Sequence, residues 1–249
     1  MALHREYLGS DISVFTSESH QFGTDAILLA DFSRPKKNDK VCDLGTGCGI
    51  IPMLWCRSNK SQNISAVDIQ PLAIEQLNKA IEHNKLENVK GYNCDLRQIK
   101  DTLPHATLDL VTMNPPYKPV DSGIQSISEA EKIARHEVCC NIDDVVNAAK
   151  YLLKFGGRLC MCHRPERLCD IFVAMRNGNI EPKKIRFVCQ HYGDAPWLVL
   201  VEGKLGGKSG LKVEKDLIMK NNDESDSAEI IEILGDYREA VEINKGEKQ

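Results

Sequence analysis

Residues 41–49 constrain the fold of this chain more than any other stretch. Val41-Cys42-Asp43-Leu44 reads as a short apolar strand, Gly45-Thr46-Gly47-Cys48-Gly49 as a glycine-rich turn, and the periodic Ile50–Cys56 as the start of a helix. Glycines at 45, 47 and 49 permit a tight turn and close approach of a ligand to the backbone at the strand's end. The G-x-G-x-G spacing is not the dinucleotide fingerprint, and no Lys-Ser/Thr pair follows to make a phosphate loop. A second apolar run, Ile64–Val67, ends in Asp68, 19 residues after Gly49. A carboxylate about 20 residues on, at the tip of the second strand, is where a ribose diol is held. Asp43, Gly45, Gly47, Gly49, Asp68 and the adjoining Ile69 are therefore candidate cofactor contacts. A third segment, Val89–Asn93, leads to Asp95-Leu96, placed to meet an adenine amino group.

Further on, the apolar run Leu108–Met113 ends in Asn114-Pro115-Pro116-Tyr117. Each proline fixes φ and removes a backbone donor, and Asn114 is pushed out of the helical region by the proline after it. The turn holds an amide, two ring-locked carbonyls and an aromatic face at a strand tip, which suits gripping a planar group that carries an NH2. Taken alone it is equally an ordinary proline-rich turn. With the upstream glycine loop and acidic strand tips it reads as an amine site beside an adenosyl site. Asn114, Pro115, Pro116 and Tyr117 are the candidate catalytic residues, with Asn114 also facing the cofactor and Tyr117 the substrate.

The remaining pattern alternates strands and helices. Strands are expected near 40–45, 64–68, 89–93, 107–113 and 157–162, and helices near 49–58, 71–86, 141–154 and 165–177. Asp25–Phe32 has helical spacing with Thr24 as its N-cap, and residues 1–20 read as polar and irregular. Runs 180–189 and 196–202, joined by His191-Tyr192-Gly193-Asp194, imply an antiparallel hairpin at one edge. The polar stretch Lys118–Glu137 separates strand from helix, and its first part, Lys118–Ser128, fits a lid over the site. Such alternation implies an α/β fold, a mostly parallel sheet with helices on both faces.

Composition narrows the class. With 42% hydrophobic and 27% charged residues over 249 positions, the chain has the make-up of a globular domain that buries a large core. No apolar stretch approaches 18 residues and no secretory signal is evident, so a cytoplasmic, non-membrane protein is expected. The ten cysteines include no C-x-x-C pair; the nearest spacings are Cys139-Cys140 and Cys160-x-Cys162, and neither a metal site nor a disulfide framework is expected. Net charge is −4, but residues 221–249 carry −6, which leaves +2 on the first 220. Positive charge concentrates in Arg164–Arg186 and Gly203–Lys215, which read either as phosphate contacts beside the cleft or as solvated faces. The acidic tail contains a helix-like stretch, Glu229–Val241. Trp197 reads as core rather than as a stacking platform.

These motifs resemble those of S-adenosylmethionine-dependent methyltransferases that act on amines. Over roughly residues 10–220 the chain is similar to the bacterial tRNA (adenine-N6)-methyltransferase family that modifies valine tRNA. The similarity runs through Phe22–Ala30, the glycine loop, Ala134-Arg135-His136-Glu137, Gly156–Leu159, Cys162-His163-Arg164-Pro165-Glu166-Arg167-Leu168, Ala195–Gly203 and Gly206-Gly207-Lys208. One departure is Asp68, where relatives often carry Glu.

The resemblance implies a seven-stranded, Rossmann-like class I methyltransferase sheet with an antiparallel C-terminal edge hairpin. It implies an N-terminal segment and helix over the cofactor at 1–35, a methyltransferase domain at 36–220 and a partly helical acidic tail at 221–249. S-adenosyl-L-methionine is the implied cofactor, with Phe22 and Asp25 folding over it. The implied substrate is an adenine in tRNA beside the anticodon, with Arg135, His136, His163, Arg164 and Lys208 as further substrate contacts. Protein glutamine and ribosomal guanine-N2 methylation remain alternatives, because both present a similar NH2 to this turn. A cofactor-binding regulator or RNA-binding module without catalysis is a further one, which the intact turn argues against.

Overall fold

In the computed structural model, residues 3–17, 21–58, 63–115 and 140–237 are described. The chain opens with a hairpin, β1 (His4–Gly9) and β2 (Ile12–Thr16), followed by α1 (Thr24–Ser33). Then come β3 (Lys40–Leu44), α2 (Ile50–Arg57), β4 (Asn63–Asp68), α3 (Pro71–His83), β5 (Val89–Asn93), a 3-10 turn at Leu96–Asp101 and β6 (Leu108–Met113). The second half holds α4 (Ile142–Leu152), β7 (Leu153–His163), α5 (Leu168–Asn177), β8 (Ile180–Cys189), β9 (Leu198–Leu205), β10 (Lys212–Val213), β11 (Leu217–Ile218) and α6 (Ala228–Leu234). The expected lid, and Pro116, Tyr117, Arg135 and His136, lie outside the described residues.

The main sheet has the order β10-β8-β9-β7-β6-β3-β4-β5, with β11 also on β8. β3 is central and parallel to β4 and β6, and β6 is parallel to β7. β9 is antiparallel to both β7 and β8, giving the expected edge hairpin. The sheet has nine strands rather than seven. The extra two, β10 and β11, are two-residue segments parallel to β8, too short to show any periodicity in sequence.

Inner strands are apolar on both sides because helices cover both faces. Along β7, Cys160 and Cys162 join a core with Val41, Leu110, Leu29, Trp55 and Leu77, while Leu159 and Met161 join the opposite core with Leu44, Val111, Val146 and Leu152. The first core lies under α1, α2, α3, α6 and the hairpin; the second lies under α4 and α5. Each buried Val, Leu or Met among them stabilises the fold by about 1.5–3 kcal/mol.

Local details differ from the sequence reading in three places. Residues 4–16 form the β1–β2 hairpin, which turns through positive φ at Gly9, Ser10 and Asp11. It docks on α3 through Asn84, whose side chain accepts from the Ser13 backbone N–H and donates to its carbonyl, at 2.9 and 2.7 Å. Gly23, not Thr24, occupies the N-cap of α1. The helix expected at 165–177 splits into a 3-10 turn at Pro165–Arg167 and α5.

Candidate active site

At the C-terminal ends of β3, β4 and β6 lies a cavity of about 500 Å³. Such an edge, where helices leave in both directions, is where open α/β sheets hold ligands. Its floor is the glycine loop. Gly45, Gly47 and Gly49 all have positive φ, at 63°, 54° and 84°. A Cβ on Gly47 would meet nothing within 4 Å, so its side faces open space, whereas one on Gly49 would lie 2.6 Å from Leu77 Cδ1. Gly49 therefore serves packing as the left-handed N-cap of α2 and does not line the cavity, while Gly45 and Gly47 do.

Asp68 is 6% exposed and ties the tip of β4 to this loop. Its Oδ2 accepts from the Gly47 N–H at 2.8 Å and its Oδ1 from the Gln70 N–H at 2.9 Å. Asn93 braces the same exit by donating to the carbonyls of Asp68 and Ile69 at 3.0 and 2.9 Å. The carboxylate is thus held in one orientation before any ligand arrives.

Asp43 is 1% exposed and shares a sheet face with Thr112, whose hydroxyl donates to it at 2.7 Å. Burial pushes its carboxyl up to about 7; the Thr112 and Thr46 side chains pull the other way, and the Asp68 charge adds to the rise. Asp95 lies on the wall with Leu96, but its carboxylate is already gripped by Arg97, with Nε at 2.9 Å and Nη2 at 2.5 Å. That hydrogen bonding holds it below the usual carboxylate range. Any amino group that binds Asp95 must therefore compete with Arg97 for its carboxylate, and Arg97 also lines the cavity.

The opposite wall is Phe22, Gly23, Asp25 and Ala26, and the mouth is Met113, Asn114 and Pro115. The Asn114 Oδ1 accepts from the Cys162 thiol at 3.1 Å. The structure thus brings Asp43, Gly45, Gly47, Asp68, Ile69, Asp95, Leu96, Asn114, Pro115, Phe22 and Asp25 around one space.

Other candidates stand elsewhere. His163 ends β7 but is 4% exposed, and its Nδ1 accepts from the Arg164 N–H at 2.8 Å. Burial pulls its pKa down, with Arg167 and Arg164 adding to the effect, and it is not among the residues that line the cavity. Arg164 lies on the same sheet edge as Asn114 and donates to the Trp197 carbonyl at 3.1 Å. Lys208 follows the far end of β9, where Lys204 pairs with Arg158 at the other end of the sheet, so it is not beside Asn114.

Sequence reasoning missed Arg97, Met113, Cys140 and Cys162. Arg97 carried a signal, since an Asp two residues before an Arg at a helix start can cap and pair with it. Cys140 and Cys162 carried none, because their place depends on strand register and on the crossover after β6. Among the described residues no cluster suited to a metal ion occurs, and no helix is long and apolar enough to cross a membrane.

The described chemistry is four carboxylates, a glycine cradle and an amide beside a ring-locked carbonyl. These can hold hydroxyls and a cation next to an amino group.

The family model for the methyltransferase small domain matches residues 7–170. A Flavobacteriaceae bacterium protein named tRNA1(Val) (adenine(37)-N6)-methyltransferase is 25% identical over 190 residues, which is 69% of this chain and 79% of that one. The protein of that name from Histophilus somni is 34% identical over 139 residues, which is 55% of this chain and 58% of the relative, so the match spans little more than half of that relative's length. Among solved structures, a protein described as a predicted O-methyltransferase from Agrobacterium tumefaciens superposes with a TM-score of 0.69 at 20% identity, covering 86% of this chain and 96% of the other. Geranyl diphosphate C-methyltransferase from Streptomyces coelicolor, solved with S-adenosyl-L-homocysteine, gives 0.55 at 13% identity, over 73% and 80%.

Proposed function

Because the chain belongs to the methyltransferase small domain family and is an S-adenosylmethionine-dependent methyltransferase, we propose that it methylates the exocyclic N6 amine of an adenine in tRNA, next to the anticodon of a valine tRNA. The observation that carries this reading is that Asn114 and Pro115 open onto the same cavity as Asp68 and the glycine loop. The names of the sequence relatives support the choice of tRNA and adenine.

The residues present suit the cofactor. Asp25, Asp43, Asp68 and Asp95 all line the cavity, and Arg97, the basic side chain among its lining residues, is paired with Asp95. That balance favours a cationic ligand carrying a ribose diol. In our reading Gly45, Gly47 and Asp43 hold the amino-acid end, Asp68 and Ile69 the ribose, and Asp95 and Leu96 the adenine, with Phe22 and Asp25 closing over them. When bound, S-adenosylmethionine supplies a methyl group already activated on a sulfonium.

The protein's own part is placement. An adenine N6 amine is a weak nucleophile because its lone pair is delocalised into the ring. Hydrogen bonds from that NH2 to Asn114 Oδ1 and the Pro115 carbonyl favour the geometry that frees the lone pair, and they stabilise positive charge growing on nitrogen. Asn114 Oδ1 also accepts from the Cys162 thiol at 3.1 Å, which orients the amide toward the cavity mouth. Tyr117 stacks on the base, a contact worth about 1–3 kcal/mol, and a base within the anticodon loop is turned out of its stack to enter. Pro116 belongs to the same sequence motif as Asn114 and Tyr117, and in our reading Arg135, His136 and Arg164 contact the RNA around the base.

The test is incubation with labelled S-adenosylmethionine and unmodified total tRNA, followed by nucleoside analysis. N6-methyladenosine in a valine tRNA is the expected product. Label appearing only in protein, or as N2-methylguanosine, overturns the substrate while leaving the reaction class intact.

A further inference from the structure

We propose that Tyr237, in the acidic C-terminal segment, is a positioning residue for the cofactor site: it sets the Phe22 wall of the cavity, so that cofactor affinity depends on a residue well beyond residue 170, where the family match ends. The inference rests on the reading that Phe22 closes over the cofactor.

Phe22 lines the cavity from a stretch without regular structure, immediately before the N-cap of α1. Its own backbone therefore imposes little on its ring. The ring meets Tyr237, with centroids 6.0 Å apart and planes at 52°, and both pack against the core under α1 and α2. Tilted aromatic pairs at this separation fix each other's orientation.

The chain leading to Tyr237 is in turn held at three points. The helix before it, α6, buries Ile230 and Ile233 and is capped by Ser227, whose side chain accepts from the Ile230 N–H at 3.2 Å. Arg57 donates to the carbonyls of Ile233 and Leu234 at 3.2 and 2.9 Å, and to that of Leu8 at 2.9 Å, joining the end of α6 to the hairpin. Gly235, at φ 51°, then redirects the chain, and Ser10 donates to Asp236 at 3.2 Å. Gly9 has no side chain at this crossing, where a Cβ would stand 2.5 Å from the Asp236 Cβ. Burial pushes the Tyr237 hydroxyl up to about 12, with contributions from Glu6 and from Cys48. Cys48, in the glycine loop, lines the cavity and belongs to the same core against which Tyr237 packs.

The test is calorimetric titration of the full chain with S-adenosyl-L-homocysteine, in Phe22→Ala, Tyr237→Ala, Tyr237→Phe and the Phe22→Ala/Tyr237→Ala double variant. Thermal melting without ligand checks folding. Loss of the ring contact should weaken binding about three- to tenfold. Tyr237→Phe should keep the affinity within about twofold, because the ring is retained. The double variant should bind no more weakly than Phe22→Ala alone, since Tyr237 acts through Phe22. Wild-type affinity in Tyr237→Ala beside a weakened Phe22→Ala overturns the proposal, and so do effects that multiply in the double variant. Wild-type affinity in Phe22→Ala overturns it at its premise, by removing Phe22 from the cofactor site. Should Tyr237→Ala fail to fold, Tyr237→Leu keeps the bulk without the ring and is read by the same criteria.

Discussion

Asp43 is the residue at which protonation and ligand binding meet. Its folded pKa, about 7, stands above the ordinary carboxylate value of 3.8, so the folded state holds a proton that the unfolded state has lost between those pH values. Stability linked to this group is present below the lower value and falls as pH rises toward 7. Cofactor affinity runs the other way, because a cationic ligand prefers the ionised pair Asp43 and Asp68. Titration with S-adenosyl-L-methionine at pH 6 and pH 8 should show tighter binding at the higher pH, and Asp43→Asn should flatten that dependence while raising the melting temperature most at pH 8. A melting temperature of Asp43→Asn that tracks wild type at every pH contradicts the assigned shift. Asn114 and Asp68 should separate chemistry from binding. Asn114→Ala should lower turnover at least about a hundredfold with nearly unchanged cofactor affinity. Asp68→Ala should weaken affinity first, since its carboxylate also holds the Gly47 and Gln70 amides in place. Equilibrium binding beside single-turnover rates distinguishes the two, and the opposite pattern in either variant would remove its assigned role.

Between elements, the Arg57 side chain at the end of α2 joins distant parts of the chain. One guanidinium reaches carbonyls of β1 and of α6, and burial opposes its charge while Asp236 and Asp31 support it. Arg57→Met keeps the apolar stem and removes the donors. We expect a loss of about 2–4 kcal/mol, read by denaturant unfolding, with hydrogen exchange rising first in residues 4–16 and 228–237. Uniform protection loss across the sheet would show instead that the hairpin and α6 are not a separate cooperative unit. Neither element was fully legible in sequence. The hairpin was read as irregular because His4-Arg5-Glu6 breaks the alternation, and its turn uses Ser10 and Asp11 at positive φ beside the glycine. The helix in the tail was legible at its start, but it ends at Leu234 rather than running on toward Val241, and its docking depends on Arg57, 176 residues away from Ile233. By contrast β3, β4, β6 and β7 were read within a few residues, since each is an apolar run ended by a glycine, acid, proline or polar turn. The site divided in the same manner. Asp43, Asp68 and Asn114 lie in short motifs whose chemistry is local, while the Arg97 grip on Asp95 and the Cys162 contact with Asn114 come from how the chain folds back.

Across the whole molecule, the distribution of charge bears on how an RNA substrate is held. The stretch 164–186 was a candidate phosphate surface, yet most of its cations are already engaged. Arg167 pairs with Asp170 at 2.6 Å, Arg176 with Glu181 at 2.9 Å, Arg186 with Glu229 at 2.7 Å and Lys184 with Glu202 at 3.7 Å. Lys183 donates to the carbonyls of Lys208 and Gly210 at 3.0 and 2.6 Å, on the side of the sheet away from Asn114. A surface of paired charges neutralises few phosphates, so on the proposed reading binding should depend more on the shape and stacking of an extruded base than on counterion release. For the proposed tRNA substrate, the slope of log affinity against log salt should then be shallow, about −2 to −3 between roughly 50 and 200 mM. Arg164, which donates to the Trp197 carbonyl, differs from these cations in standing on the active-site edge of the sheet. Arg164→Glu should weaken tRNA binding and reduce the slope by about one, whereas Lys208→Glu and Arg176→Glu should leave both unchanged. Filter binding across a salt series makes the comparison. A slope steeper than about −6, or an equal loss from Lys208→Glu, would mean that the RNA wraps to the far edge of the sheet rather than presenting one base at the mouth of the cavity.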